Sequence, residues 1–135
     1  MNPNIILLVI DSFRSDKFFH PSSTSQKPNI DNLIKTGTYF DQAISSADAT
    51  ILSWSGLYTG KHPFKTGIRS ARFNKLDSSV STIFSILQNS DYSFFSFVPT
   101  FSETIGLFPT FENENNLYDF TERLDTGLGE KILNI

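Results

Sequence analysis

The 135-residue chain contains no cysteine. A disulfide framework, a cysteine-ligated zinc site and a cysteine nucleophile are therefore excluded. Long apolar runs are also missing. The stretch Ile5–Ile10 meets Asp11 after six residues, whereas a membrane-spanning helix needs about 20. No basic residue precedes it, so it lacks the charged start of a secretory leader. The expectation is a cytoplasmic chain without a membrane segment. Positive charge is scarce after residue 76. Residues 77–135 hold two of the eleven basic residues and nine of the fourteen acidic ones, while residues 1–76 hold nine and five. With a net charge of −3 and no aromatic-interleaved basic motif, nucleic acid is not an expected partner.

What is present suits a folded domain. Hydrophobic residues make up 39% of the chain, and fourteen residues are Phe. Charged residues at 19% exclude a disordered acidic tail. Ile5–Ile10 is continuous and rich in β-branched residues, the pattern of a strand buried on both faces. A helix is expected over Asn29–Lys35, with Gly37 as its stop. Thr38–Ser45 reads as a short strand and Ile51–Tyr58 as a helix ending before Gly60. Residues 60–74 read as loop, Ser78–Asn89 as a helix with Val80, Ile83, Phe84 and Leu87 on one face, and Tyr92–Val98 as a second buried strand. Residues 99–120 read as irregular, and a helix is expected to begin at Gly129. There are no internal repeats. Strands alternating with helices give an α/β order.

Two residues stand where chemistry is expected. Asp11 closes the first strand, and open α/β sheets bind ligands at that end. A carboxylate there is a metal ligand, a catalytic group or a cap on the turn. A phosphoaspartyl nucleophile of the haloacid-dehalogenase type would have a second Asp two residues on, where this chain has Phe13. Thr50 stands where a loop enters a helix. It reads either as an N-cap or as a hydroxyl facing an oxyanion held at the helix N-terminus. The cluster Lys61, Lys65, Arg69, Arg72 and Lys75 contains no acid. It reads as a solvated face or as an attractor of an anionic substrate.

Four segments in order carry a resemblance. Asp11-Ser12-Phe13-Arg14-Ser15-Asp16 follows the first strand. Pro28-Asn29-Ile30-Asp31-Asn32-Leu33 is followed by Gly37 and Phe40. Thr50 stands ten residues before the Gly of Thr59-Gly60-Lys61-His62-Pro63, with Gly67 beyond. Ile83–Leu87 is followed by Asp91-Tyr92. Together they resemble the N-terminal part of the alkaline phosphatase/sulfatase superfamily over roughly residues 3–100, and more loosely to the end.

The resemblance implies a three-layer α/β/α sandwich, of which residues 1–135 would be the N-terminal portion of a larger, truncated domain. It implies a hydrolase of small phosphate or sulfate esters, or a phospho-group transferase. A divalent cation (Zn, Ca, Mg or Mn) would be held in part by Asp11 and Thr50. Thr50 would be the nucleophile, with Arg14 and Lys61 as substrate contacts. Arg14 also reads as a brace of the first turn, and Lys61 and His62 as surface loop. His20 has no partner motif, and Trp54 reads as packing. The chain departs from true sulfatases in four places. Thr50 replaces the Cys or Ser that is oxidised to formylglycine, and its β-methyl group forbids that aldehyde. Leu52 and Trp54 stand where Pro and Arg are expected, although Ser53 matches. Ser12 replaces a second metal-binding Asp. The later Lys-Trp-His segment is absent from residues 93–102. These departures resemble the Thr-nucleophile branches that act on phosphate esters. A true sulfatase and a non-catalytic fragment lacking the C-terminal metal ligands are the alternatives.

Overall fold

In the computed structural model the described residues are 2–70, 74–99, 105–113, 118–119 and 121–133, without the side chains of residues 124 and 126. The chain divides into two compact units, Met1–Ile44 and Ser45–Ile135.

The first unit carries helix α1 (Ser15–Phe19) and helix α2 (Pro28–Thr36). Helix α2 follows directly from its sequence. Pro28 at the start has the backbone angle a first turn needs. Asp31 lies in the first turn and Lys35 in the last, each matched to the helix dipole. The N–H of Gly37 closes the end on the Leu33 carbonyl at 2.8 Å. Lys27 braces the helix start by pairing with Asp31 at 2.8 Å. Its ammonium also lies 5.7 Å from the centre of the Phe19 ring. Phe19 belongs to an aromatic cluster with Phe13, Phe18 and Tyr39, with ring centres 4.3–6.4 Å apart.

The expected strand Ile5–Ile10 does not form a ladder. The segment is extended and exposed, Ile6 to 93%. Thr38–Ser45 also forms no strand, and Phe40 and Ile44 are exposed. A parallel strand is held only by its neighbours, and none pairs with either segment among the described residues. The sheet of the expected sandwich is therefore not built by these residues.

The second unit holds helix α3 (Thr50–Thr59), a 3₁₀ turn (Pro63–Lys65), helix α4 (Ile83–Gln88), a wide turn (Leu124–Leu128) and helix α5 (Gly129–Leu133). Its core is Ile51, Tyr58, Ile68, Ile105 and Leu107, flanked by Trp54, Phe84 and Phe108. The aromatic rings meet edge-on or tilted. Trp54 and Tyr58 contact Phe108 with centres 5.8 and 5.3 Å apart, and Tyr58 contacts Phe84 at 5.1 Å. Burial raises the pKa of the Tyr58 phenol, as expected for a packing residue.

Helix α4 begins five residues later than the apolar pattern predicts. The reason is a reciprocal cap. Thr82 Oγ1 accepts from Ser85 N–H, and Ser85 Oγ accepts from Thr82 N–H. Upstream, Asp77 accepts from both the N–H and the hydroxyl of Ser79, forming a turn that holds the chain out of the helix.

Tyr92–Val98 forms no regular strand but bonds at every second residue. Phe94 O accepts from Glu112 N–H. The Asn113 amide bonds both Ser96 N–H and Ser96 O at 2.8 Å, in place of a backbone peptide. Val98 O accepts from Tyr118 N–H beside a parallel bridge between Pro99 and Tyr118. One edge of the segment is thus paired with strand periodicity.

Gly67 requires its missing side chain. Its φ is +82°, and a Cβ there would lie 3.2 Å from the Asp77 nitrogen and 3.3 Å from the Lys75 carbonyl oxygen. Gly67→Ala is expected to cost at least about 1 kcal/mol. A fall in the urea midpoint checks this; an unchanged midpoint would show that the turn relaxes freely.

At the C-terminal end, Lys131 of α5 pairs with Glu122 at 2.7 Å. That hydrogen bond, helped by the Asp119 N–H, lowers the Glu122 pKa. A carboxylate depressed in the folded state stabilises above its unfolded value of about 4.3, and that contribution disappears as pH falls through the folded value. The protection of the α5 amides, taken as the exchange rate relative to that of an unstructured peptide at the same pH, is therefore expected to fall modestly below about pH 4. In Glu122→Gln that protection should be modestly lower at neutral pH and should lack the further fall in acid. Identical profiles for the two proteins would refute the anchor.

Candidate functional site

Asp11 and Arg14 lie in the first unit, and Thr50 and Lys61 in the second. Asp11 is exposed in a turn where Ser12 takes a left-handed φ of 56°. Arg14 precedes helix α1. Its guanidinium grips Asp16 through both carboxylate oxygens, at 2.9 and 2.6 Å. That pairing lowers the Asp16 pKa and raises that of Arg14. The fork ties the residue before α1 to its first turn, in a solvated setting where such pairs contribute little.

Thr50 opens helix α3, and Ala49 takes the N-cap position. Thr50 therefore does not occupy the capping place that its residue type suggests. The first i to i−4 bond runs from Ser53 N–H to Ala49 O at 2.8 Å, so N–H groups of the first turn are aimed out of the N-terminal end. The entry loop is tied to the helix at two points. Ser45 Oγ meets Ser53 Oγ at 2.7 Å and donates to Ala47 O at 2.6 Å. Gly56 lets Ser46 pack against the helix, where a Cβ would collide with its hydroxyl. Sequence reasoning noted Ser53 only as a motif match and did not foresee its bond to Ser45. The signal was available, since Ser53 lies one turn beyond Thr50.

A second polar set fastens the other end of α3. Ser55 and Thr66 are fully buried. Ser55 Oγ donates to Leu52 O at 2.8 Å, and Thr66 Oγ1 donates to Pro63 O at 2.7 Å. Asp77 N–H bonds Thr66 O at 2.9 Å. Gly60, with φ of 65°, ends the helix in the left-handed conformation. The Thr59–Gly67 segment is therefore a rigid fastener. Lys61 lies within it, just past the C-terminal end of α3 and about 15 Å from Thr50 along a ten-residue helix.

An open cleft of about 270 Å³ is lined by residues including Leu76, Asp77, Phe84 and Phe108, but by none of Asp11, Arg14, Thr50 or Lys61. The Asp77 carboxyl in it has a lowered pKa, chiefly through the Ser79 hydroxyl and N–H. Among the described residues no three His, Asp or Glu side chains come together to hold a metal ion. Asp11 and Thr50 do not by themselves make the donor set that a divalent cation takes.

The sequence model of the family described as Sulfatase matches residues 3–126. The match spans Asp11, the Pro28–Leu33 segment, Thr50 and the Thr59–Gly67 turn in one alignment. No solved structure matches the chain.

Proposed function

Because the chain belongs to the sulfatase family, whose chemistry at superfamily level is that of sulfatase- and phosphoesterase-type hydrolases, we propose that it serves phosphate-ester cleavage or transfer through Thr50. One observation carries this reading. Thr50 is the first residue of α3, behind the Ala49 cap, so its hydroxyl belongs to the helix end best suited to an oxyanion. In the step proposed, Thr50 Oγ1 attacks phosphorus and the ester P–O bond breaks. The Thr50 proton leaves with the departing alcohol. Water, or an acceptor alcohol, then attacks the phosphothreonine and restores the hydroxyl. A threonine cannot supply the aldehyde on which formylglycine sulfatases depend, which favours phosphate over sulfate.

Family members generally use a divalent cation, but the described residues do not complete a site for one, and no step is routed through it. The further donors are proposed to come from a longer polypeptide of which residues 1–135 are the N-terminal portion. The test is the coding sequence beyond Ile135. An Asp-His pair and a further His in frame would support the reading; a stop codon there would overturn it for this chain.

A further inference from the structure

We propose that the turn following α3 docks the protein on an anionic lipid surface. The proposal rests on how this turn divides its side chains. Pro63, Thr66 and Ile68 point inward and are buried, while Lys61, His62, Phe64, Lys65 and Arg69 are exposed. The backbone between them is fixed. Lys65 N–H bonds His62 O at 2.8 Å, Thr66 N–H bonds Pro63 O at 3.0 Å, and Ile68 N–H bonds Thr66 Oγ1 at 3.3 Å. A tied-down turn therefore presents an apolar ring between cations. Phe64 is 69% exposed. Its ring lies parallel to that of His62, with centres 5.6 Å apart and planes 8° from parallel, which stiffens the tip further.

Lys61, Lys65, Arg69 and nearby Lys75 make no ion pair among the described residues. The acid that feels the field of Lys61 is Asp77, whose carboxylate is already engaged by Ser79. The ionised Asp77 offsets part of the Lys61 field, while Lys65, Arg69 and Lys75 have no ion-pair partner among the described residues. An apolar insert flanked by cations is the arrangement that a bilayer interface rewards. The ring enters the headgroup boundary while the cations meet lipid phosphates and carboxylates. A long nucleic-acid strand is disfavoured by the acid excess of residues 77–135. The turn lies at the opposite end of α3 from Thr50, so docking leaves the N-terminal end of the helix open.

The test is co-sedimentation of the full chain with vesicles of phosphatidylcholine alone and of phosphatidylcholine with added phosphatidylserine. Binding is expected only with phosphatidylserine and should weaken as salt rises. Lys61→Gln with Lys65→Gln should lower the partition coefficient about 25-fold, on the basis of about fivefold per cation. Phe64→Ala should lower it further with an unchanged thermal midpoint, because the ring is exposed. In Phe64→Trp, brominated acyl chains should quench the new fluorescence when phosphatidylserine is present. Equal binding to neutral vesicles, which the exposed Ile5–Ile10 segment could mediate, would overturn the proposal. So would unchanged binding by the variants, displacement by free glycerophosphoserine, or retention of a DNA duplex with no vesicle binding.

Discussion

Thr50→Ala, placed in the natural gene product, is expected to lower turnover of a phosphate monoester by about three orders of magnitude or more. Removing a nucleophile abolishes the covalent route and leaves only what binding and charge stabilisation provide. Thr50→Ser should retain much of the activity, because the hydroxyl stays at the first position of α3. The same pair of variants separates chemistry from folding. Thr50 opens α3 behind Ala49 and is not its cap, so neither substitution removes a capping interaction. The unfolding free energy of each variant, measured in urea, shows whether turnover is lost with the fold intact. Undiminished turnover by Thr50→Ala would remove Thr50 as nucleophile. For residues 1–135 alone, the expected result is no measurable turnover and weak binding of divalent metals, since no three ligand side chains converge among the described residues.

The second large effect falls on stability. Ile68 is fully buried at the centre of the core formed with Ile51, Tyr58, Ile105 and Leu107. Ile68→Ala is expected to cost about 2–5 kcal/mol, as the lost transfer energy adds to the cavity left behind. Against the total of about 5–15 kcal/mol typical of a domain, that is enough to populate the unfolded chain. Ile68 also follows the Thr66–Gly67 turn, so its loss should loosen the fastener that ends α3. Phe64→Ala, four residues earlier and exposed, should leave the midpoint unchanged. Equal losses in the two variants would mean that the buried and exposed sides of this turn have been wrongly assigned.

The contrast between the two sides of that turn shows what the sequence made legible. Helix α2 was readable in part from Gly37 as its stop, while Pro28, Asp31 and Lys35, which support its ends in the structure, did not enter the expectation. Helix α3 was readable from the loop that enters it and from the glycine that ends it. The Thr59–Gly67 fastener follows from two positions that demand positive φ, at 65° and 82°. What was not legible depends on partners distant in sequence. Ile5–Ile10 has the composition of a buried strand, yet burial needs a sheet around it, and here the segment is exposed. The start of α4 was hidden because Val80 continues the apolar pattern, while the Thr82–Ser85 cap decides where the helix begins. Asn113 standing in for a backbone peptide beside Ser96 has no sequence signature, since any exposed Asn looks the same.

The candidate site was legible in part. Thr50 was placed at a helix entrance because a polar loop gives way to a helical segment from Ile51, and α3 begins at Thr50. Its capping role was the reading that its residue type suggests, and the helix start at Thr50 displaces it by one residue. Lys61 was grouped with the site as a substrate contact that the resemblance implies. A ten-residue helix separates it from Thr50, so a contact with the same ester would need a substrate that reaches about 15 Å. Arg14 was open between substrate and structure, and its two-point grip on Asp16 occupies the guanidinium.

The central claim is that Thr50 carries the phospho-group during turnover. It is tested by incubating the natural gene product with a phosphate monoester and divalent cations, quenching in acid, and mapping the masses of the peptides that cover α3. The account predicts one phosphoryl group on Thr50, absent from Thr50→Ala. Full turnover with Thr50 unmodified throughout, or the phosphoryl group on another residue, would contradict it.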